Sequence, residues 1–218
     1  MRIAIVCNGR CGSTSIFNYI NYCLLSQHKK YNTFFEPFNF KNKSIINEKH
    51  FKIDTIINKK NVLLKTFIDI EYYPYESFEN STDYWNWFYS FFDKIIVLER
   101  KNKRLQAESF VYHNRLSKNR TVSPYWHTPK YYDLTEDDEI DVIELTKYLE
   151  SESLVLQSIS EKGYPLFYYE DIFVDKNQQT INKLNEYCEI EYNQSGIDEW
   201  IISPYKKVRL TNKINGLI

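Results

Sequence analysis

The stretch Met1 to Leu25 restricts the fold more than any other part of the chain. Arg2 to Cys7 (R-I-A-I-V-C) is a short apolar run carrying β-branched Ile3, Ile5 and Val6, and it reads as a buried strand. It runs into Asn8-Gly9-Arg10-Cys11-Gly12-Ser13-Thr14-Ser15, a loop of glycines and small hydroxylated residues. Ile16, Phe17, Ile20 and Leu24 then mark one face of a helix. Strand, glycine loop and helix N-terminus together leave backbone N–H groups unpaired and directed at an anion. The helix dipole adds about half a positive charge there, and Arg10 adds a full one. The expected ligand is a phosphate or a group of similar shape and charge.

The loop lacks the Gly-Lys-Ser/Thr ending that nucleoside-triphosphate sites use for the β/γ-phosphates and magnesium. Its cation precedes the second glycine instead, as Arg10-Cys11-Gly12-Ser13-Thr14. That order resembles the 5′-phosphosulfate loop, Arg/Lys-Ser-Gly-Ser/Thr-Thr, of the sulfotransferases that use 3′-phosphoadenosine-5′-phosphosulfate (PAPS). Taken alone, the loop also fits a plain glycine turn after a first strand.

The chain has 218 residues, which suits one α/β domain over 1–218. A net charge of −1 gives no polyelectrolyte basis for binding nucleic acid or an anionic membrane, so any anion site must be local. Cys7, Cys11, Cys23 and Cys188 lack zinc spacing, and a reduced, cytoplasmic protein without metal is expected. No secretory leader is read at the N-terminus, and no apolar run approaches about 18 residues.

Further along, Tyr31 to Glu36 reads as a second strand, with Pro37 expected to force Glu36 into extended geometry at the strand's end. Ligands of open α/β sheets collect beyond the carboxyl ends of strands, which makes Glu36 a site candidate or else a surface glutamate. Residues 40–60 carry no clear pattern. Asn61 to Ile68 (N-V-L-L-K-T-F-I) is a third strand. Its Lys65-Thr66 resembles the Lys-Thr-His strand of cytosolic sulfotransferases, whose histidine is the base. Phe67 stands at the histidine position, so the base must come from elsewhere, Glu36 first and His113 or His127 otherwise. A solvated strand-end lysine is the other reading of Lys65.

Ser81 to Asp93 reads as a helix with a dense aromatic face turned to the core. Lys94 to Glu99 (K-I-I-V-L-E) is a strand that feeds the basic turn Arg100-Lys101-Asn102-Lys103-Arg104 and a helix through Gln106, Ala107 and Ser109. Sulfotransferases grip the donor's 3′-phosphate with an arginine just past a strand and a serine about two helical turns later; such contacts are charge-assisted. The stretch L-E-R-K-N-K-R-L-Q-A-E-S is similar to that of bacterial trehalose and glycolipid sulfotransferases. The arginine-to-serine spacing exceeds the usual one by a residue, so Arg100 and Lys101 both stay open, Arg100 first.

Residues 116–134 read as a loop able to bind an acceptor, with Trp126 and His127 in it. Thr135 is expected to cap a helix running to about Lys162, with Ile140, Ile143, Leu145, Tyr148, Leu149 and Leu156 inward. Gly163 ends it, Tyr164 to Tyr168 is the last strand, and Glu170 and Asp171 hold neighbouring elements. Residues 203–218 form a tail whose Lys207 and Arg209 would cover the donor, as the resemblance implies, or else lie in solvent.

The resemblance implies a three-layer α/β/α fold of the P-loop sulfotransferase kind, with a central parallel sheet and PAPS along the strands' carboxyl ends. It implies sulfuryl transfer to a hydroxyl, of a carbohydrate or glycolipid by analogy. Arg10, the N–H groups of Gly12 to Ser15, the Ser13 and Thr14 hydroxyls and Lys65, with Cys11 in the same loop, would hold the leaving phosphate, Glu36 would act as base, and PAP would be released. The alternatives are a P-loop kinase-like enzyme requiring magnesium and ATP, and a sulfotransferase-like protein that binds ligand without turnover.

Overall fold

The computed structural model describes residues 1–37, 54–68, 78, 80–118 and 135–202. In chain order these form β1 (Arg2–Cys7), α1 (Ser13–Ser26), β2 (Asn32–Phe35), the single turn α2 (Asp54–Ile57) and β3 (Val62–Phe67). Then come α3 (Ser81–Phe91), β4 (Lys94–Glu99), α4 (Lys103–Lys118), α5 (Glu136–Ser160) and β5 (Leu166–Tyr168). A π-helical turn (Glu170–Val174), α6 (Gln178–Cys188), α7 (Gln194–Ile197) and a second π-helical turn (Asp198–Ile202) follow.

The five strands form one all-parallel sheet in the order β2-β3-β1-β4-β5. Alternation along each strand explains why both faces are covered. Ile3, Ile5 and Cys7, with Leu63, Ile96 and Leu98, pack under α1 and α6 through Ile16, Ile20, Leu24, Ile181 and Leu184. Ala4 and Val6, with Leu64, Ile95 and Val97, meet Tyr84, Phe88 and Phe91 of α3 and Leu156 and Ile159 of α5. The result is an α/β fold with helices on both sides of the sheet. A parallel sheet gathers all its carboxyl ends on one edge, and β1, flanked by β3 and β4, puts the glycine loop at the middle of that edge.

Several boundaries and faces differ from the sequence reading. Asn80 rather than a residue of the Ser-Thr-Asp run caps α3, accepting from the Asp83 N–H at 3.0 Å. The helix stops at Phe91, because Phe92 is extended. The last strand is shorter than Tyr164 to Tyr168, and α4 extends through residues 116–118, which were expected to be loop. The α5 helix has its Thr135 capping box but buries only part of the expected face. Ile140, Ile143 and Tyr148 stay exposed, at 57%, 48% and 47%. Leu149 and Leu156 are buried as expected, and Val142, outside the expected line, is buried with them. The reason is that α5 serves two neighbours in turn, Ala107 and Val111 of α4 near its start and the sheet near its end. Trp126, His127, Lys207 and Arg209, with the loop beyond residue 118 and the tail 203–218, lie outside the described residues.

Among the described residues no helix is long and apolar enough to cross a membrane.

Candidate functional site

The glycine loop leads into α1 with Gly12 at the cap position, φ 77, and no acidic residue in the first turn. A Cβ at Gly12 would lie 2.4 Å from Phe173 and 2.9 Å from Tyr169, so both backbone twist and close packing require glycine. The Ser15 N–H donates to the Gly12 carbonyl at 3.0 Å, which withdraws it from the set of amides expected to face an anion. Among the described residues the N–H groups of Gly12, Ser13 and Thr14 make no such backbone bond, but that of Ser13 turns to the Cys11 sulfur. Those of Gly12 and Thr14 supply the anion-seeking end of the helix.

The side chains of Cys11 and Ser13 turn inward. The Cys11 thiol donates to the Asn8 carbonyl at 2.8 Å. Burial pushes the Cys7 thiol well up, reinforced by its Cys11 neighbour, and Cys7 keeps its proton. Burial also raises Cys11, but the Cys7 hydrogen bond, the Lys65 charge and Ser13 outweigh it, and the net shift is down. Both sulfurs sense the positive charge stored beneath the loop.

That charge is Lys65. Strand parity places Leu63, Lys65 and Phe67 on the α1 face of β3, and register aligns Lys65 with Ile5 of β1 and Phe35 of β2. Its side chain is 3% exposed. Its ammonium donates to the Thr14 hydroxyl at 3.4 Å and lies 4.4 Å and 4.8 Å from the ring centroids of Phe35 and Phe67. It also pairs directly with the Glu36 carboxylate, itself 10% exposed. A solvated strand-end lysine is therefore excluded.

Glu36 does lie at the end of β2, but its backbone is left-handed, φ 49, not the extended form expected before proline. Its N–H donates to the Lys65 carbonyl at 2.9 Å, and its carboxylate returns to the Lys65 ammonium. These paired contacts to one residue hold it out of the strand conformation.

On the other side of β1, Glu99 ends β4 and is buried. It pairs with Lys103 and accepts from Ser153 of α5, which anchors the basic turn to the molecule's interior. Arg100 and Lys101 diverge from there. The Lys101 ammonium is half exposed and pairs with Asp171, which raises its pKa. The Arg100 side chain is 16% exposed, 3.9 Å from Glu170 and 4.7 Å from the Tyr169 ring centroid. Its buried Nε has no hydrogen-bond partner. Glu170 accepts from the N–H groups of Lys101 at 2.8 Å and Asn102 at 3.1 Å, so it and Asp171 do hold neighbouring elements.

The glycine loop meets the helix that follows the basic turn. Arg10, φ 62, donates from Nε to the Ser109 hydroxyl at 3.0 Å. Gln106, one turn earlier, donates to the Gly9 carbonyl at 2.6 Å. Arg10, Thr14, Lys65, Glu36 and Ser109 thus share one sheet edge, with Arg100 at the start of the helix that carries Ser109. Sequence reasoning missed the work of Gln106, Phe110, Tyr169 and Phe173 around the loop. Only Gln106 carried a signal, its place in the Gln-Ala-x-Ser run.

A scan against protein-family models and a search of curated proteins find no match for this chain.

Proposed function

We propose that the chain is a PAPS-dependent sulfotransferase acting on an acceptor hydroxyl, in the carbohydrate or glycolipid class. The observation that carries this reading is the Arg10–Ser109 hydrogen bond at 3.0 Å, which joins the anion loop to the helix that follows the second cationic turn. The Arg100 Nε, 3.9 Å from Glu170 but without a hydrogen bond, favours Arg100 over Lys101 as the 3′-phosphate contact, since Lys101 is hydrogen-bonded to Asp171.

In the proposed reaction the acceptor oxygen forms a bond to sulfur as the bond from sulfur to the donor's 5′-phosphate oxygen breaks in line. Its proton passes to Glu36. Alignment and charge stabilisation do the work, as in phosphoryl transfer. Arg10 and the Gly12 and Thr14 N–H groups stabilise the leaving phosphate. Lys65 starts on Glu36 and Thr14; as it turns to the oxygens of the transferring group, Glu36 becomes available as base.

The test is transfer of labelled sulfate from PAPS to a panel of saccharides and glycolipids. Labelled product from wild-type protein, abolished by Arg10→Ala, supports the reading. PAP binding without any transfer leaves a ligand-binding protein of this fold. Thermal stabilisation by ATP with magnesium but not by PAP replaces the reading with a kinase-like one.

A further inference from the structure

Gln106 is fully buried on α4, and its role is not explained by packing. Its Nε2 donates to the Gly9 carbonyl at 2.6 Å, while its Oε1 has no partner. An unpaired buried acceptor is unfavourable, so stability alone prefers an apolar side chain of the same size here. What the glutamine supplies is the bond to Gly9.

Neighbouring residues act on the same peptide. Phe110 packs so closely that a Cβ at Gly9 would lie 2.4 Å from its Cζ, and Ser109 receives the Arg10 side chain. The Gly9–Arg10 peptide is trans, so its carbonyl and N–H point in opposite directions. Holding the carbonyl on α4 turns the N–H to the far side of the loop. Glycine offers little steric resistance to rotation of that peptide. Once rotated, it would set a carbonyl oxygen where the N–H now stands, and an anion in the loop would be repelled.

We propose that Gln106 is a positioning residue that fixes the Gly9–Arg10 peptide, so that the loop presents N–H rather than C=O to the donor's 5′-phosphate. This rests on the PAPS reading above and adds a determinant of donor affinity that does not itself touch the ligand. The effect belongs to the 5′-phosphate alone. Binding of adenosine 3′-phosphate, which lacks that group, is independent of Gln106.

The experiment is calorimetric titration of PAP and of adenosine 3′-phosphate into wild-type protein and into Gln106→Met and Gln106→Leu, with thermal melting of each. The expected result is a loss of about tenfold in PAP affinity, the size of one well-placed hydrogen bond. Adenosine 3′-phosphate should bind unchanged and the melting temperature should not fall. Two substitutions are used so that one folded variant suffices. Unchanged PAP affinity overturns the inference, as does an equal loss for both ligands with a lowered melting temperature. Wild-type protein that binds no PAP overturns the donor reading itself, a result visible before any variant is compared.

Discussion

In the proposed reaction Glu36 takes the acceptor's proton, and its environment decides how its loss would be felt. Replacing it with glutamine keeps the shape next to Lys65 but removes the proton acceptor of that reaction. Glu36→Gln should bind PAP nearly as wild type and turn over about 10²–10⁴-fold more slowly, measured as labelled-sulfate transfer. Unaffected turnover would remove Glu36 from the mechanism. Gly12 is constrained differently, by φ 77 and by the Phe173 and Tyr169 rings. Gly12→Ala should lower the melting temperature and weaken PAP binding together, seen by thermal melting with and without ligand. Residue types at these positions were legible in the sequence because glycine, arginine and lysine stand out against a strand-loop-helix pattern. The left-handed backbone of Glu36 was not, because it follows from a contact with Lys65 across the sheet, which overrides the local preference set by Pro37.

Among the elements, α3 tests the packing account. Phe88 is fully buried against the sheet, its ring centroid 4.6 Å from that of Phe92 and the two rings tilted to each other. Phe88→Ala should cost about 3–5 kcal/mol in urea unfolding, the range for truncating a buried aromatic ring; a loss under about 1 kcal/mol would mean that the helix does not anchor that face. Strands were readable because alternation has only two faces to assign, and β1 shows both: Ile3 and Ile5 to one side, Ala4 and Val6 to the other. The α5 face was legible only in part. Leu149 and Leu156 are buried as their spacing implies, but Ile140, Ile143 and Tyr148 are apolar yet exposed, and Val142 is buried in their place. Which line faces inward depends on where α4 and the sheet lie, and helical periodicity alone does not contain that information.

At the scale of the whole molecule, buried acids that stay protonated set an upper pH limit. Burial pushes the Cys23 thiol up to about 11 and the Tyr89 hydroxyl up to about 12. Above the ordinary thiol value the unfolded chain releases protons that the folded chain retains, so stability falls as pH rises toward those values. Urea unfolding at pH 8 and pH 10 should give a lower midpoint at the higher pH; an equal or higher midpoint would contradict the burial of these groups. The functional account rests on a different whole-molecule property, the placement of Arg10 and Arg100 on one sheet edge. Its most direct test is the affinity of PAP compared with adenosine 3′-phosphate and adenosine 5′-phosphate, in wild type, Arg10→Ala and Arg100→Ala. The account predicts that PAP binds more tightly than either monophosphate, that Arg10→Ala removes the gain from the 5′-phosphate, and that Arg100→Ala removes the gain from the 3′-phosphate. PAP binding no tighter than a monophosphate, or indifferent to both substitutions, would contradict it.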